Sequence, residues 1–442
     1  MRTNDTIKID IIQTIVWLFL FFSISIVMEV QSWSQTVDFT TAQSRLLEGN
    51  LKLKALHQKT LQYKSRISQD SSLPDPKVKL GLNNVPVSKP SFNESDMTSK
   101  EIGIYQMFPF FGKLSAKERI AILEYEKAVA MYRFYQSYYL HAVRSYFFEI
   151  AYLKEYVKII EETKKYLTIL LEIQKSRSTA GIGMVSDVLK IIVELSKLDE
   201  EIIKVNTAIA ETESTIAYLL GDSNGEKKNY SADIDYTSIT IHNQPNSDVS
   251  EKVLSENPEI QLLSLQIQMD EEWVNLKQKD LYPDVEIGVS YMQRDNTPQG
   301  AARDDMFSVM ATFNIPAWFT SKNIPAIQEM NIKKGQSEAE LNDKKNEITF
   351  ALSTISINTE KWKQLHELYS KHVIPHLETM LQTDIAYYRT GTTEFMKLMD
   401  TIRMLLDYKK EQLNTIKEYC KAVSFLHFLQ GDTSILNWSG IQ

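Results

Sequence analysis

The chain has 442 residues, of which 14 are glycine, 43% are apolar and 24% are charged. Glycine at under half its usual ~7% share, in a chain too apolar for disorder, calls for long uninterrupted elements, and helices are the natural form. A formal net charge of −8 argues against nucleic acid, which needs a basic face. The single cysteine, Cys420, excludes a disulfide framework and any metal site with two or more thiolates.

At the amino terminus, Arg2 and Lys8 precede an apolar run from Ile11 to Val30, and Ser32 and Ser34 follow it. A positive start, an apolar middle and a small polar exit predict a signal peptide over residues 1–34. The run approaches the ~20 residues of a membrane span, so a permanent anchor is the competing form. Gln13, Ser23 and Ser25 interrupt that span, and no cysteine follows it to carry a lipid. In either form the bulk of the chain is exported.

The rest of the chain repeats itself once. Leu73-Pro74-Asp75-Pro76-Lys77-Val78 is echoed by Tyr282-Pro283-Asp284-Val285-Glu286-Ile287. Phe108-Pro109 before Gly112-Lys113 is echoed by Ile315-Pro316 before Ser321-Lys322, and Arg177 to Gly181 by Tyr388 to Gly391. Leu219-Leu220-Gly221-Asp222 is echoed by Leu429-Gln430-Gly431-Asp432, and Asn50 and Asn257 form a weaker fifth pair. The echoes keep one order and nearly one offset, which predicts repeats over 40–222 and 250–432. A polar linker at 223–249 joins them, and a tail occupies 433–442.

Each repeat has the same grammar. A first helical stretch, from Thr40 to Asp70 and again from Ser250 to Lys279, leads into a Pro-Asp turn. Two alternating segments follow. Val285, Ile287, Val289 and Tyr291 share one face, with Glu286, Gly288 and Ser290 opposite; Phe307, Val309, Ala311 and Phe313 then alternate with Ser308, Met310 and Thr312. Val78, Leu80 and Leu82, then Ile102 and Ile104, do the same in the first repeat. Period two predicts strands with one apolar and one polar face, near the ~9–11 residues that cross a bilayer when tilted. From Lys113 to Thr179 and from Lys322 to Thr390 there is almost no helix breaker, with Pro325, Gly335 and Pro375 as the interruptions. At 1.5 Å per residue each stretch is roughly 100 Å of helix. Apolar residues recur by threes and fours at Ile150, Leu153, Val157, Ile160, Leu167 and Leu171. They recur again at Val188, Ile192, Leu195, Ile202, Val205 and Ile209, a coiled-coil seam. Turns at Gly181 and Gly391 force neighbouring helices antiparallel.

Several chemical signals fail on inspection. Gly181-Ile182-Gly183 lacks the preceding strand and last glycine of a dinucleotide loop. His372 and His376 could share a helix face, but Pro375 disturbs it and no cysteine assists. Met396, Met399 and Met404 have the spacing of packing rather than of soft-metal ligands. No nucleophile elbow, phosphate loop or catalytic carboxylate pair is present in the sequence, so the reading is of a non-enzyme without cofactor.

Four strands cannot close a membrane barrel, and open edges in lipid cost several kcal/mol for each unpaired group. The chain must therefore associate with itself. With the paired strand entries, Phe108-Pro109-Phe110-Phe111-Gly112-Lys113-Leu114 and the two arginine-containing glycine turns, it resembles the TolC family of outer-membrane efflux proteins, the outer membrane factors. The likeness runs from Thr40 to Gly431, and Leu73–Ala121 is most similar to the heavy-metal efflux branch. The resemblance implies a mainly α fold with a small β part: a homotrimer with a shared twelve-stranded transmembrane β-barrel and a long periplasmic α-helical barrel. It implies the outer membrane of a Gram-negative bacterium. It also implies the exit duct of a tripartite efflux or type I secretion system, partnered by a periplasmic adaptor and an inner-membrane transporter of RND type.

The same resemblance assigns Arg177, Gly181, Gly183, Ser186, Asp187, Arg389, Gly391 and Thr393 to an adaptor-binding tip, and Lys397 and Asp400 to the pore gate. Members similar to the founding type carry two acidic residues at the gate positions, so Lys397 is a departure. It lies one turn from Asp400, which predicts a Lys397–Asp400 latch. The alternatives are a membrane-anchored periplasmic coiled-coil scaffold without a pore, and a soluble metal-handling protein.

Overall fold

A computed structural model describes residues 37–109, 112–222, 230, 253–392 and 394–435. The expected signal peptide at 1–34 lies outside the described residues, as does the expected linker apart from Tyr230.

Helices α1 (Phe39–Gly49) and α2 (Leu51–Ser71) open the described chain. The sequence predicts one helix here; the structure breaks it at Asn50, whose backbone turns extended at ψ 118°. Its Oδ1 accepts from Leu53 N at 2.9 Å, capping α2, and its Nδ2 donates to Leu219 O at 2.7 Å. Strands β1 (Lys77–Asn83) and β2 (Ser99–Phe108) lead into α3 (Lys113–Thr179) and α4 (Val185–Leu220). The order then recurs: α5 (Pro258–Lys279), β3 (Val285–Gln293), β4 (Met306–Phe313), α6 (Ile324–Leu368), α7 (Ile374–Thr390) and α8 (Phe395–Leu429). Asn257 repeats the role of Asn50, accepting from Glu259 N and Ile260 N while donating to Leu429 O at 2.8 Å. One helix in the first repeat is thus two in the second. Single π turns at Phe319–Asn323 and Tyr369–Val373 precede α6 and α7, with Pro325 and Pro375 in the turn that follows each. Gly335, expected as an interruption, sits inside α6 without breaking it.

The four strands form one antiparallel sheet in sequence order, so β2 and β3 join the two repeats and β1 and β4 are open edges. The register stacks Val78, Ile104, Val289 and Val309 in one row and Leu80, Ile102, Tyr291 and Phe307 in the next. All eight are exposed, so the sheet presents a continuous apolar face with no protein layer over it. The other face is polar and internally bonded. Glu101 is buried and takes Lys79 at 3.1 Å and Asn83 Nδ2 at 2.8 Å, under the ring of Tyr105. Tyr105 lies across Gly288, where a Cβ would come within 2.3 Å of the ring, so only glycine fits there. The loops between β1 and β2 and between β3 and β4 share one end and are tied by Arg303–Asp96 at 2.7 Å and Lys100–Asp295 at 3.0 Å.

Below the sheet, α3 packs against α2, α4, α5 and α8. Phe147, Phe148, Ile150, Ile160 and Leu167 of α3 form the main core with residues of α4 and α8. On α4 the buried seam is Ile191, Leu198 and Val205, with Leu195, Ile202 and Ile209 half-buried, and Ile192 is exposed. The expected seam through Ile192 was one residue off near the glycine turn. Three consecutive apolar residues, Ile191 to Val193, hide the phase there, and only packing against α3 selects Ile191.

Candidate functional site at the helical tip

The end of the helices remote from the sheet is built from two turns with the same backbone. After α3, Gly181 takes φ 73°, Ile182 N donates to Arg177 O at 3.0 Å and Gly181 N to Ser178 O at 3.1 Å. After α7, Gly391 takes φ 82°, Thr392 N donates to Tyr387 O at 3.0 Å and Gly391 N to Tyr388 O at 3.2 Å. Both are Schellman caps, which need a residue free of Cβ strain in the left-handed region. Gly183 is required for a different reason: a Cβ there would stand 2.9 Å from Ser178 N.

Arg177 joins the two turns. Its guanidinium donates to Tyr388 O at 3.0 Å and lies 5.2 Å over the Tyr388 ring. A Cβ on Gly391 would meet that guanidinium at an ordinary contact distance of 3.5 Å, so it is the positive φ and not crowding that calls for glycine there. The Tyr388 hydroxyl donates to Gln174 Oε1, and Gln174 Nε2 donates to Met184 O at 3.3 Å. Burial pushes the Tyr388 phenol up, so it keeps the proton it donates. Of the residues expected at the tip, the structure brings together Arg177, Gly181, Gly183 and Gly391. Asp187 sits in the first turn of α4, paired with Lys190 at 3.4 Å. Ser186 and Arg389 are exposed, and Thr393 lies outside the described residues.

Lys397 and Asp400 do not pair with each other within the subunit. The Lys397 ammonium goes to Asp384 of α7 at 3.4 Å, and Asp400 goes to Arg403 at 3.7 Å. Within the subunit Lys397 has a more buried partner than Asp400. Asp384 is 1% exposed and also accepts from Thr401 Oγ1 at 2.9 Å, and a carboxylate so buried needs a counter-charge. Arg403 in turn makes a two-pronged bond to Glu194 of α4 at 3.0 and 2.9 Å, which holds the Glu194 carboxyl below the usual range. The tip therefore has two clasps, Lys397–Asp384 between α8 and α7 and Arg403–Glu194 between α8 and α4. Beside the second runs a groove of about 330 Å³ lined by Leu189, Val193, Phe395, Met396 and Met399. Sequence reasoning missed Gln174, Asp384, Tyr388, Glu194 and Arg403. Tyr388 stood inside the second of the two echoed turns without a role assigned to it, and Asp384 lies one turn before it on the same helix face. The Glu194–Arg403 pairing spans 209 positions and left no local trace.

Among the described residues no group of three or more His, Cys, Asp or Glu is placed to hold a metal ion. His372 falls in the π turn, off the helical spacing assumed for His376. No described helix is long and apolar enough to cross a membrane.

Residues 42–222 match the family model described as outer membrane efflux protein. The structure of the chain is similar to that of CusC, with a TM-score of 0.74 at 14% identity over 90% of this chain and 92% of that one. The outer-membrane channel OprN gives 0.73 at 15% identity over 90% of both chains. VceC of Vibrio cholerae gives 0.72 at 12%, over 89% of this chain and 96% of that one. At these identities the likeness concerns the fold. No curated protein matches the chain in sequence.

Proposed function

We propose that three copies of this chain form an outer-membrane channel, the exit duct of a tripartite efflux system, with the sheet in lipid and the helices in the periplasm. One observation carries the reading. The most extensive contacts that join the two repeats inside the chain are β2–β3, α3–α5 and α3–α8. By the repeated order their counterparts would be β4 with β1, α6 with α2, and α6 or α7 with α4. Among the described residues none of these counterparts is made to a comparable extent within the chain. The surfaces left over are apolar: Ile332, Phe350 and Ile357 on α6 and Ile203 and Tyr218 on α4 are each at least 67% exposed. A ring of copies supplies every missing contact, and three copies give twelve strands, above the eight of the smallest membrane barrels.

The anchored scaffold explains neither the bare apolar sheet face nor its open edges. Light scattering of the detergent-solubilised protein should give a trimer. A monodisperse monomer with its β signal intact rules the ring out.

In this reading the hairpin loops face the cell exterior and Gly181 and Gly391 the periplasm. An adaptor meets the Arg177, Gly181, Gly183, Ser186, Asp187, Arg389, Gly391 and Thr393 tip, an inner-membrane transporter of RND type feeds it, and Lys397 and Asp400 stand at the gate. Thiol labels at Asn296→Cys and Asn93→Cys should react on whole cells, Asn296 faster because it is exposed while Asn93 is half-buried. Native Cys420 is fully buried, and burial raises its thiol, so it stays silent without replacement. Labelling that requires lysis reverses the orientation.

A further inference from the structure

The two halves of the sheet share one register. Val78 faces Ile104 as Ile287 faces Ala311, Leu80 faces Ile102 as Val289 faces Val309, and Leu82 faces Lys100 as Tyr291 faces Phe307. Strand β1 therefore maps onto β3, and β2 onto β4, residue by residue. The junction between the halves is also fixed: Ile102 faces Tyr291, Ile104 faces Val289 and Gln106 faces Ile287. Carrying that junction through the same mapping gives the junction that the chain does not make with itself.

We propose that β4 pairs antiparallel with β1 of a second copy in one register. Val309 then stands opposite Leu82 of the partner subunit, Ala311 opposite the partner's Leu80, and Phe313 opposite the partner's Val78. The exposure of the outer face agrees. Val309 and Phe307 on the β4 edge are 68% exposed and Leu80 on the β1 edge is 77% exposed, against 42% for Val289 and 52% for Ile102 in the middle. A neighbouring strand on each edge would cover that difference. The register puts the partner's Val78, Leu80 and Leu82 on the same face as Val309, Ala311 and Phe313, whereas a one-residue slip would turn the partner's set inward. The partner is thus a second copy, recognised by main-chain hydrogen bonds along the edge and by continuity of the apolar rows.

This inference rests on the ring proposed above, and the test separates the two. In an antiparallel pair, residues directly opposite have Cα atoms about 4.5–5.5 Å apart, inside the range a disulfide accepts, whereas a two-residue diagonal separates them by about 7–8 Å. Full-length protein carrying Ala311→Cys and Leu80→Cys should, on mild oxidation, give covalent dimers and trimers on denaturing gels. The yield should be at least tenfold above that of Phe313→Cys with Leu80→Cys. Val309→Cys with Leu82→Cys should behave like the first pair, which keeps the test open if one double variant fails to fold. A trimer by light scattering in which the slipped pair cross-links best, or in which no pair does, overturns the register and leaves the ring standing. A monomer overturns both.

Discussion

In the proposed channel, Lys397→Glu should loosen the tip and raise conductance several-fold in planar bilayers. The substitution removes the ammonium 3.4 Å from Asp384 and puts a second carboxylate beside one that is 1% exposed. Removing one partner from a fully buried ion pair costs about 3–5 kcal/mol. Lys397 is itself 63% exposed, so solvent carries part of that charge and the loss here should be roughly 1–3 kcal/mol. It falls on the contact between α7 and α8, the two helices that carry the second tip turn. Because the partner is Asp384 and not Asp400, the rescue is specific. Adding Asp384→Asn should restore low conductance, since the amide keeps an acceptor for Thr401 while removing the repulsion. Adding Asp400→Lys should not. Recordings at low salt, where screening is weakest, give the clearest contrast. Unchanged conductance there would mean that Lys397 does not hold the tip shut, and rescue by Asp400→Lys alone would return the pairing to Asp400.

The second large effect is expected at Asn257 and its twin Asn50. Each side chain caps one helix through its Oδ1 and satisfies a last-turn carbonyl of another through its Nδ2, at 2.8 Å to Leu429 O and 2.7 Å to Leu219 O. Alanine at either position loses a cap worth about 1 kcal/mol and strands a buried carbonyl at about 1–3 kcal/mol. Each variant should therefore lose roughly 2–4 kcal/mol in guanidinium unfolding. Aspartate is the discriminating variant. It caps a helix as well as asparagine but places a carboxylate against a carbonyl oxygen, so it should be no better than alanine. Full stability of Asn257→Asp would mean that the cap alone matters and that the bond to Leu429 contributes nothing.

How far these sites were legible differs from one to the next. Gly181 and Gly391 were visible because a helix end that needs φ above zero selects glycine locally, and Arg177 stood in the same motif. Asn50 and Asn257 showed only as a weak echo. An N-cap is a local signal, but their distinguishing bonds reach residues 169 and 172 positions away. Asp384 was hidden because nothing in a helix sequence says that an acidic residue will be buried at 1%. Lys397 and Asp400 at three-residue spacing suggested each other, and the three-dimensional neighbours decided otherwise for both.

What the sequence determined by itself was whatever follows from period and punctuation. Alternation of two placed Val78, Leu80, Val289 and Val309 on one face, scarce glycine predicted α3 at nearly full length, and constant offsets predicted two similar halves. These are properties of short stretches of backbone, set by side-chain geometry within a few residues. Tertiary structure decided the rest. It set the phase of α4 at Ile191, the π turns before Pro325 and Pro375, and the order of strands that leaves β1 and β4 open. It also chose Asp384 for Lys397 and Glu194 for Arg403. Each is a choice among several locally equivalent options, and only burial against a distant segment, with its demand that every charge and carbonyl find a partner, separates them.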